Sequence, residues 1–119
     1  MAGEAILAYV PDLMFSVRLR EAASNLHCTV SIVSNDQDFQ ERFLTVRPSL
    51  VVLDLTAAGP VIESLVGQSK SHGSKVIAYA PHAKRDLLAR AQAASVDAVY
   101  SNSRFKADIN SILQTWITA

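Results

Sequence analysis

The run Leu50-Val51-Val52-Leu53-Asp54-Leu55 constrains this chain most, because an unbroken apolar stretch closes on a single carboxylate. An apolar run of this length between turn signals fits a strand buried on both faces, as in a parallel sheet covered by helices. The carboxylate then stands at the strand's C-terminal end, the edge of an open α/β sheet where ligands bind. Two readings of Asp54 stay open on position alone. It is a functional group at that edge, or it caps the following turn, since aspartate commonly starts turns.

Taken in order, the rest of the chain alternates two periodicities. Ala5 to Val10 reads as a first strand, ended by Pro11-Asp12. Leu13 to Leu26 follows as a helix with Leu13, Val17, Leu19, Ala22, Ala23 and Leu26 inward, and Asp12 as its cap. Cys28 to Val33 alternates small polar with apolar residues, a second strand. Ser34-Asn35-Asp36 opens a second helix whose inner stripe is Phe39, Phe43, Leu44 and Val46, and Arg47-Pro48 stops it. After the central strand, Gly59-Pro60 reads as a third helix start, with Ile62, Leu65 and Val66 buried and 67–73 a polar exit loop. Lys75 to Ala80 is a fourth strand, Ala83 to Ala94 a fourth helix and Asp97 to Tyr100 a short fifth strand. A last helix puts Phe105, Ile109, Ile112, Leu113 and Trp116 on one stripe.

Strands and helices that alternate through short connections imply a doubly wound α/β fold, with a five-stranded parallel sheet and helices on both faces. The common order for such a sheet is 2-1-3-4-5, which opens a cleft between the first and third strands. Asp12 and Asp54 then meet at one cleft. The 119 residues suit one domain, 1–119, with one core.

Charge and composition exclude several functions. Eleven basic residues balance eleven acidic ones without a basic run, so nothing favours nucleic acid or an anionic membrane surface. The single cysteine, Cys28, has no disulfide partner in the chain and reads as a buried apolar strand residue in a reducing compartment. Met1 to Leu7 lacks a signal peptide's basic start, and no window reaches the ~20 apolar residues of a membrane span, so a soluble cytoplasmic protein is expected. No Gly-x-Gly-x-x-Gly, Walker lysine or Gly-x-Ser-x-Gly elbow is present.

Three segments carry a family resemblance. Val46-Arg47-Pro48-Ser49-Leu50-Val51-Val52-Leu53-Asp54-Leu55, Val76-Ile77-Ala78-Tyr79-Ala80-Pro81-His82 and Ala94-Ser95-Val96-Asp97-Ala98-Val99-Tyr100 together resemble a two-component response-regulator receiver domain, whose fold is flavodoxin-like. The resemblance implies signal transduction, Asp54 as phosphoryl acceptor, and a protein partner such as a histidine kinase or an output domain. It also implies Mg²⁺ held beside the acceptor, for which this chain offers only Asp12 and Asp54, a weak site. Ala80 stands where the family has a hydroxyl residue, and Asn102 or Ser103 where it has a lysine. Tyr100 matches the switch aromatic within one residue.

The departures set the functional expectation. A phosphoryl group on a carboxylate concentrates negative charge, which Mg²⁺ and lysine offset in this family. The chain therefore reads as a degenerate receiver, a pseudo-receiver, that serves as a phosphorylation-independent protein-interaction module with no resident cofactor. The alternative is a working phospho-acceptor at Asp54 with Mg²⁺. Candidate interface residues are Lys84, Arg85, Arg90, Tyr100, Arg104 and Lys106.

Overall fold

A computed structural model describes residues 4–118. Residues 1–3, read above for a targeting signal, lie outside that range. Five strands, β1 (Ala5–Tyr9), β2 (Thr29–Val33), β3 (Leu50–Asp54), β4 (Lys75–Ala80) and β5 (Ala98–Ser101), form one parallel sheet in the order β2-β1-β3-β4-β5. The expected topology and strand order hold.

Side chains alternate across the pleat, so each central strand feeds two cores. Leu7, Val51, Leu53, Val76, Ala78 and Ala80 face one side, where they meet α2 (Asp36–Val46), the short α3 (Leu55–Ala58), α4 (Ile62–Ser71) and α5 (Arg85–Ala93). Ile6, Ala8, Leu50, Val52, Ile77 and Tyr79 face the other, against α1 (Leu13–Asn25), α6 (Asn102–Ala107) and α7 (Ile109–Thr118). Val51, Val52 and Leu53 are wholly buried. Each stabilises the fold by about 1.5–3 kcal/mol relative to exposure.

Several boundaries move from the sequence expectation for local reasons. β3 ends at Asp54, and Leu55 starts a helix at once because the Asp54 carboxylate accepts the next free amides. Gly59–Val61 then makes a 3-10 turn with Pro60 in it, so the third helix region is two pieces. The expected polar loop at 67–73 is largely helix, because Leu65, Val66 and Ser69 continue the buried stripe of α4 through Gly67. Ser69 Oγ donates to the Leu65 carbonyl at 2.7 Å, so burying it leaves no polar group unpaired. α5 starts at Arg85 rather than Ala83, since Pro81 to Lys84 forms a turn closed by the Lys84 amide on the Pro81 carbonyl. β5 starts at Ala98, one residue late. Asp97 instead turns its carboxylate onto the Val76 amide at 2.7 Å and onto Lys70.

The last helix breaks at Asp108 into α6 and α7, yet Phe105, Ile109, Ile112 and Leu113 share one buried stripe as expected. Two helix faces were assigned differently. Capped at Asp12, α1 turns Phe15, Ser16, Leu19, Ala22 and Ala23 inward, which leaves Leu13 78%, Met14 82% and Val17 50% exposed. In α2 only Phe39 and Phe43 are buried, Val46 is half-buried and Leu44 is exposed. Cys28 is half-buried just before β2, not within it.

Candidate functional site

Strand ends gather the candidate residues at the C-terminal edge of the sheet. Tyr9 and Leu53 are register partners on β1 and β3, so Asp12 and Asp54 flank the cleft between these strands. Asp54 is half-buried, and its Oδ1 accepts the Thr56 amide at 3.1 Å and the Ala57 amide at 3.4 Å. Burial pushes its carboxyl above the usual range, while the two amides and Lys106 pull it back and Asp12 adds to the rise. The capping reading of Asp54 is therefore realised in the structure, at a position that also opens onto the cleft.

Asp12 caps α1 through a 3.1 Å bond from the Phe15 amide to Oδ1, and that bond, with Lys106, holds its carboxyl below the usual range. Its other oxygen, Oδ2, lies 3.4 Å from Lys106 Nζ. This lysine comes from α6, one helical turn beyond Asn102, and its ammonium also lies 5.4 Å from the centre of the Phe15 ring. The sequence positions Asn102 and Ser103 offered no lysine, but helical spacing carries Lys106 back to the same cleft. That i, i+4 relation was the signal that sequence reasoning passed over.

Tyr79 is the second residue missed. It is the register partner of Asp54, is 1% exposed, and stacks on Phe105 with ring centres 4.5 Å apart. Burial and the nearby Asp54 carboxylate push its hydroxyl well above the usual range, yet its Oη makes no hydrogen bond of normal geometry. Asn102 Oδ1 is likewise buried without a partner. The signal in sequence was a large polar aromatic inside an otherwise aliphatic strand.

The remaining candidates disperse. Ala80 is fully buried on the α2–α5 side of the sheet and pairs in register with Ser101. Tyr100 is half-buried on the opposite side, where its hydroxyl accepts the Trp116 indole N–H at 2.9 Å. Ala80 and Tyr100 therefore lie on opposite faces of the sheet, whereas Val99, one residue before Tyr100, packs on the face of Ala80. Arg104 lies over the Tyr100 ring at 5.6 Å, whereas Arg90 is engaged by Glu63 and the Gly59 carbonyl. Lys84 and Arg85 are exposed at the start of α5.

Mg²⁺ needs near-octahedral oxygen ligation at short distance. Asp12 and Asp54 each give one oxygen to helix amides, and an ammonium sits on the other oxygen of Asp12. No group of three or more His, Cys, Asp or Glu side chains suited to a metal occurs among the described residues. Asp12 and Asp54 are the carboxylates that flank the cleft, and each already shares one oxygen with helix amides.

No protein-family model matches the chain, and no curated protein matches it in sequence. Solved structures do. A response regulator from Hahella chejuensis superimposes with a TM-score of 0.84 at 15% identity, covering 98% of this chain and 97% of that one. A response regulator from Thermotoga maritima gives 0.82 at 13% identity, covering 98% and 99%. The signal receiver domain of a DNA-binding response regulator from Colwellia psychrerythraea 34H gives 0.74 at 23% identity, covering 93% and 98%. Such identities establish a likeness of architecture alone, and over nearly its whole length the chain has the fold of response-regulator receiver domains.

Proposed function

We propose that the chain is a receiver-fold interaction module of cytoplasmic two-component-type signalling, whose partner contacts do not depend on phosphoryl transfer to Asp54. The observation that carries this reading is the Lys106 ammonium, 3.4 Å from Asp12 Oδ2. It neutralises, from within the chain, the carboxylate that would otherwise help to hold a divalent cation. Ala80 brings no hydroxyl to the cleft edge, so an acyl phosphate on Asp54 would lack both a metal and a hydrogen-bonding reporter.

Beside the cleft, Leu13, Met14 and Val17 make the exposed apolar face of α1, with Arg18 and Lys106 at its rim. An apolar patch edged by basic groups fits an amphipathic helix with acidic flanks, presented by a protein partner such as a histidine kinase or an output domain. The face built from Lys84, Arg85 and Arg104 is polar and is the weaker candidate.

Titration calorimetry with Mg²⁺ on the wild type and on Asp54→Asn tests the reading. No saturable binding at micromolar Mg²⁺ is expected for either. Micromolar affinity that disappears in Asp54→Asn would refute it. The second reading, a working phospho-acceptor, has one observation in its favour: the same Lys106 acts electrostatically on Asp54. A gain of one phosphoryl mass after incubation with acetyl phosphate, lost in Asp54→Asn, would establish it.

A further inference from the structure

At the opposite end of the sheet from Asp54, a cavity of about 420 Å³ opens between the C-terminal ends of α2 and α4. Phe43, Leu44, Arg47, Pro48, His72 and Ser74 line it. The six residue steps from Pro48 to Asp54, most of them along β3, separate the two ends by roughly 20 Å. We propose that this cavity is a small-molecule site for an aryl carboxylate, independent of the acidic cleft.

The lining divides into an apolar wall and one cation. Phe43 is buried and fixed, stacked on Phe39 at 5.7 Å and met edge-on by the His72 ring at 5.2 Å. Pro48 is buried beneath, and Leu44 stands 73% exposed at the rim with no cover from the rest of the chain. These surfaces suit a flat ring.

Two polar side chains of the wall are already engaged. Ser74 Oγ donates to the Pro48 carbonyl at 2.6 Å, and His72 Nδ1 donates to the Gln68 carbonyl at 2.9 Å. The helix ends carry partial negative charge, but the Phe43 carbonyl accepts the Arg47 amide, and those of Ser69 and Lys70 accept the amides that follow α4. The cation of the lining is Arg47. Among the described residues its guanidinium has no hydrogen bond or ion pair.

The backbone at Arg47 closes α2. Its φ is +49°, in the left-handed region that glycine or asparagine takes at lower cost, and Pro48 after it disfavours the helical alternative. His27 and Ser95 take the same conformation just past α1 and α5, so it marks how these helices end. One planar fork beside an apolar wall matches a single carboxylate bidentately, whereas a phosphate would call for more donors than this cavity has.

Benzoate is the probe, with benzylamine as the charge-reversed control, followed by amide chemical-shift titration. Benzoate should give saturable shifts centred on 43–48 and 72–74, with Kd of about 1 mM for so small a ligand. Arg47→Gly should weaken binding about tenfold, the loss of a charge-assisted pair, without lowering the melting temperature, since glycine suits that backbone. Leu44→Glu, which sets a like charge at the rim, should also weaken it. Non-saturating or scattered shifts, equal binding of benzylamine, or unchanged affinity in Arg47→Gly would each overturn the proposal. None of these outcomes depends on whether Asp54 is phosphorylated.

Discussion

Replacing Tyr79 by phenylalanine should make this protein more stable, against the usual direction for a core substitution. The ring is 1% exposed, stacked on Phe105 at 4.5 Å and edge-on to Phe15 at 5.7 Å, and Tyr79→Phe keeps all of these contacts. Only the hydroxyl is lost. It makes no hydrogen bond of normal geometry in the folded state, whereas in the unfolded chain it is hydrated. A buried donor without a partner costs about 1–3 kcal/mol. The Asp54 carboxylate lies close enough for a weak, poorly aligned contact with the hydroxyl, which returns part of that cost. The lower end of the range is the right choice, a gain of about 1 kcal/mol, which for a domain of this size raises Tm by about 4 °C. Urea unfolding followed by far-UV circular dichroism measures it, with an unchanged m-value as the check that only stability moved. A loss of more than about 0.5 kcal/mol would refute the reasoning, because the hydroxyl would then hold a hydrogen bond to Asp54 that matters. A Tyr79→Phe/Asp54→Asn cycle would locate that bond, through coupling present only with both groups in place.

Two further substitutions follow from the same kind of reasoning. Asp54→Asn keeps an oxygen for the Thr56 and Ala57 amides and Asp54→Ala does not, so in chemical denaturation the alanine variant should be less stable than the asparagine variant by about 1 kcal/mol. Because burial raises the folded carboxyl pKa, the charge costs stability above that pKa; the advantage of Asp54→Asn over wild type should therefore appear at pH 7 and fade as pH falls toward the ordinary value of 3.8. Ser95, exposed just past α5 with φ +71°, should accept glycine with a gain of about 0.5–1 kcal/mol, seen as a higher Tm in calorimetry.

What could be read without coordinates was what periodicity carries. The apolar run at 50–53 and the β/α alternation lead to a two-sided parallel sheet, because a strand covered on both faces has no polar alternation to show. Helix faces were harder wherever the apolar set was wider than the buried one. Leu13, Val17 and Leu44 are apolar but lie outside the stripe that the caps at Asp12 and Asn35 set, and composition cannot separate an interaction surface from a core. The cleft was legible in its acids and not in its base. Position-by-position comparison stops at Asn102 and Ser103, whereas the side chain that arrives comes from Lys106, a turn along a helix whose start at Asn102 is fixed by the Ser101 cap.

The sheet's two faces also decide where a change at the cleft is felt. Asp54, Tyr79 and Tyr100 lie on strand positions that face α1, α6 and α7, while Ala80 faces α2 to α5. A hydroxyl introduced at position 80 would lie across the sheet from Tyr100, on the face where Val99 packs. The groups in contact with the cleft run the other way. Tyr79 stacks on Phe105, Phe105 meets Tyr100 at 5.6 Å, and Tyr100 accepts the Trp116 N–H, so packed rings reach from the register partner of Asp54 to the last helix. α6 carries both Phe105 and Lys106, the ring in that row and the ammonium on Asp12. A charge change at Asp54 therefore acts on α6 through both its packing and its ion pair. A second route leads through the amides of Thr56 and Ala57, which the Asp54 carboxylate caps, into α3, where Ala57 packs in the same core as Leu87 and Leu88 of α5.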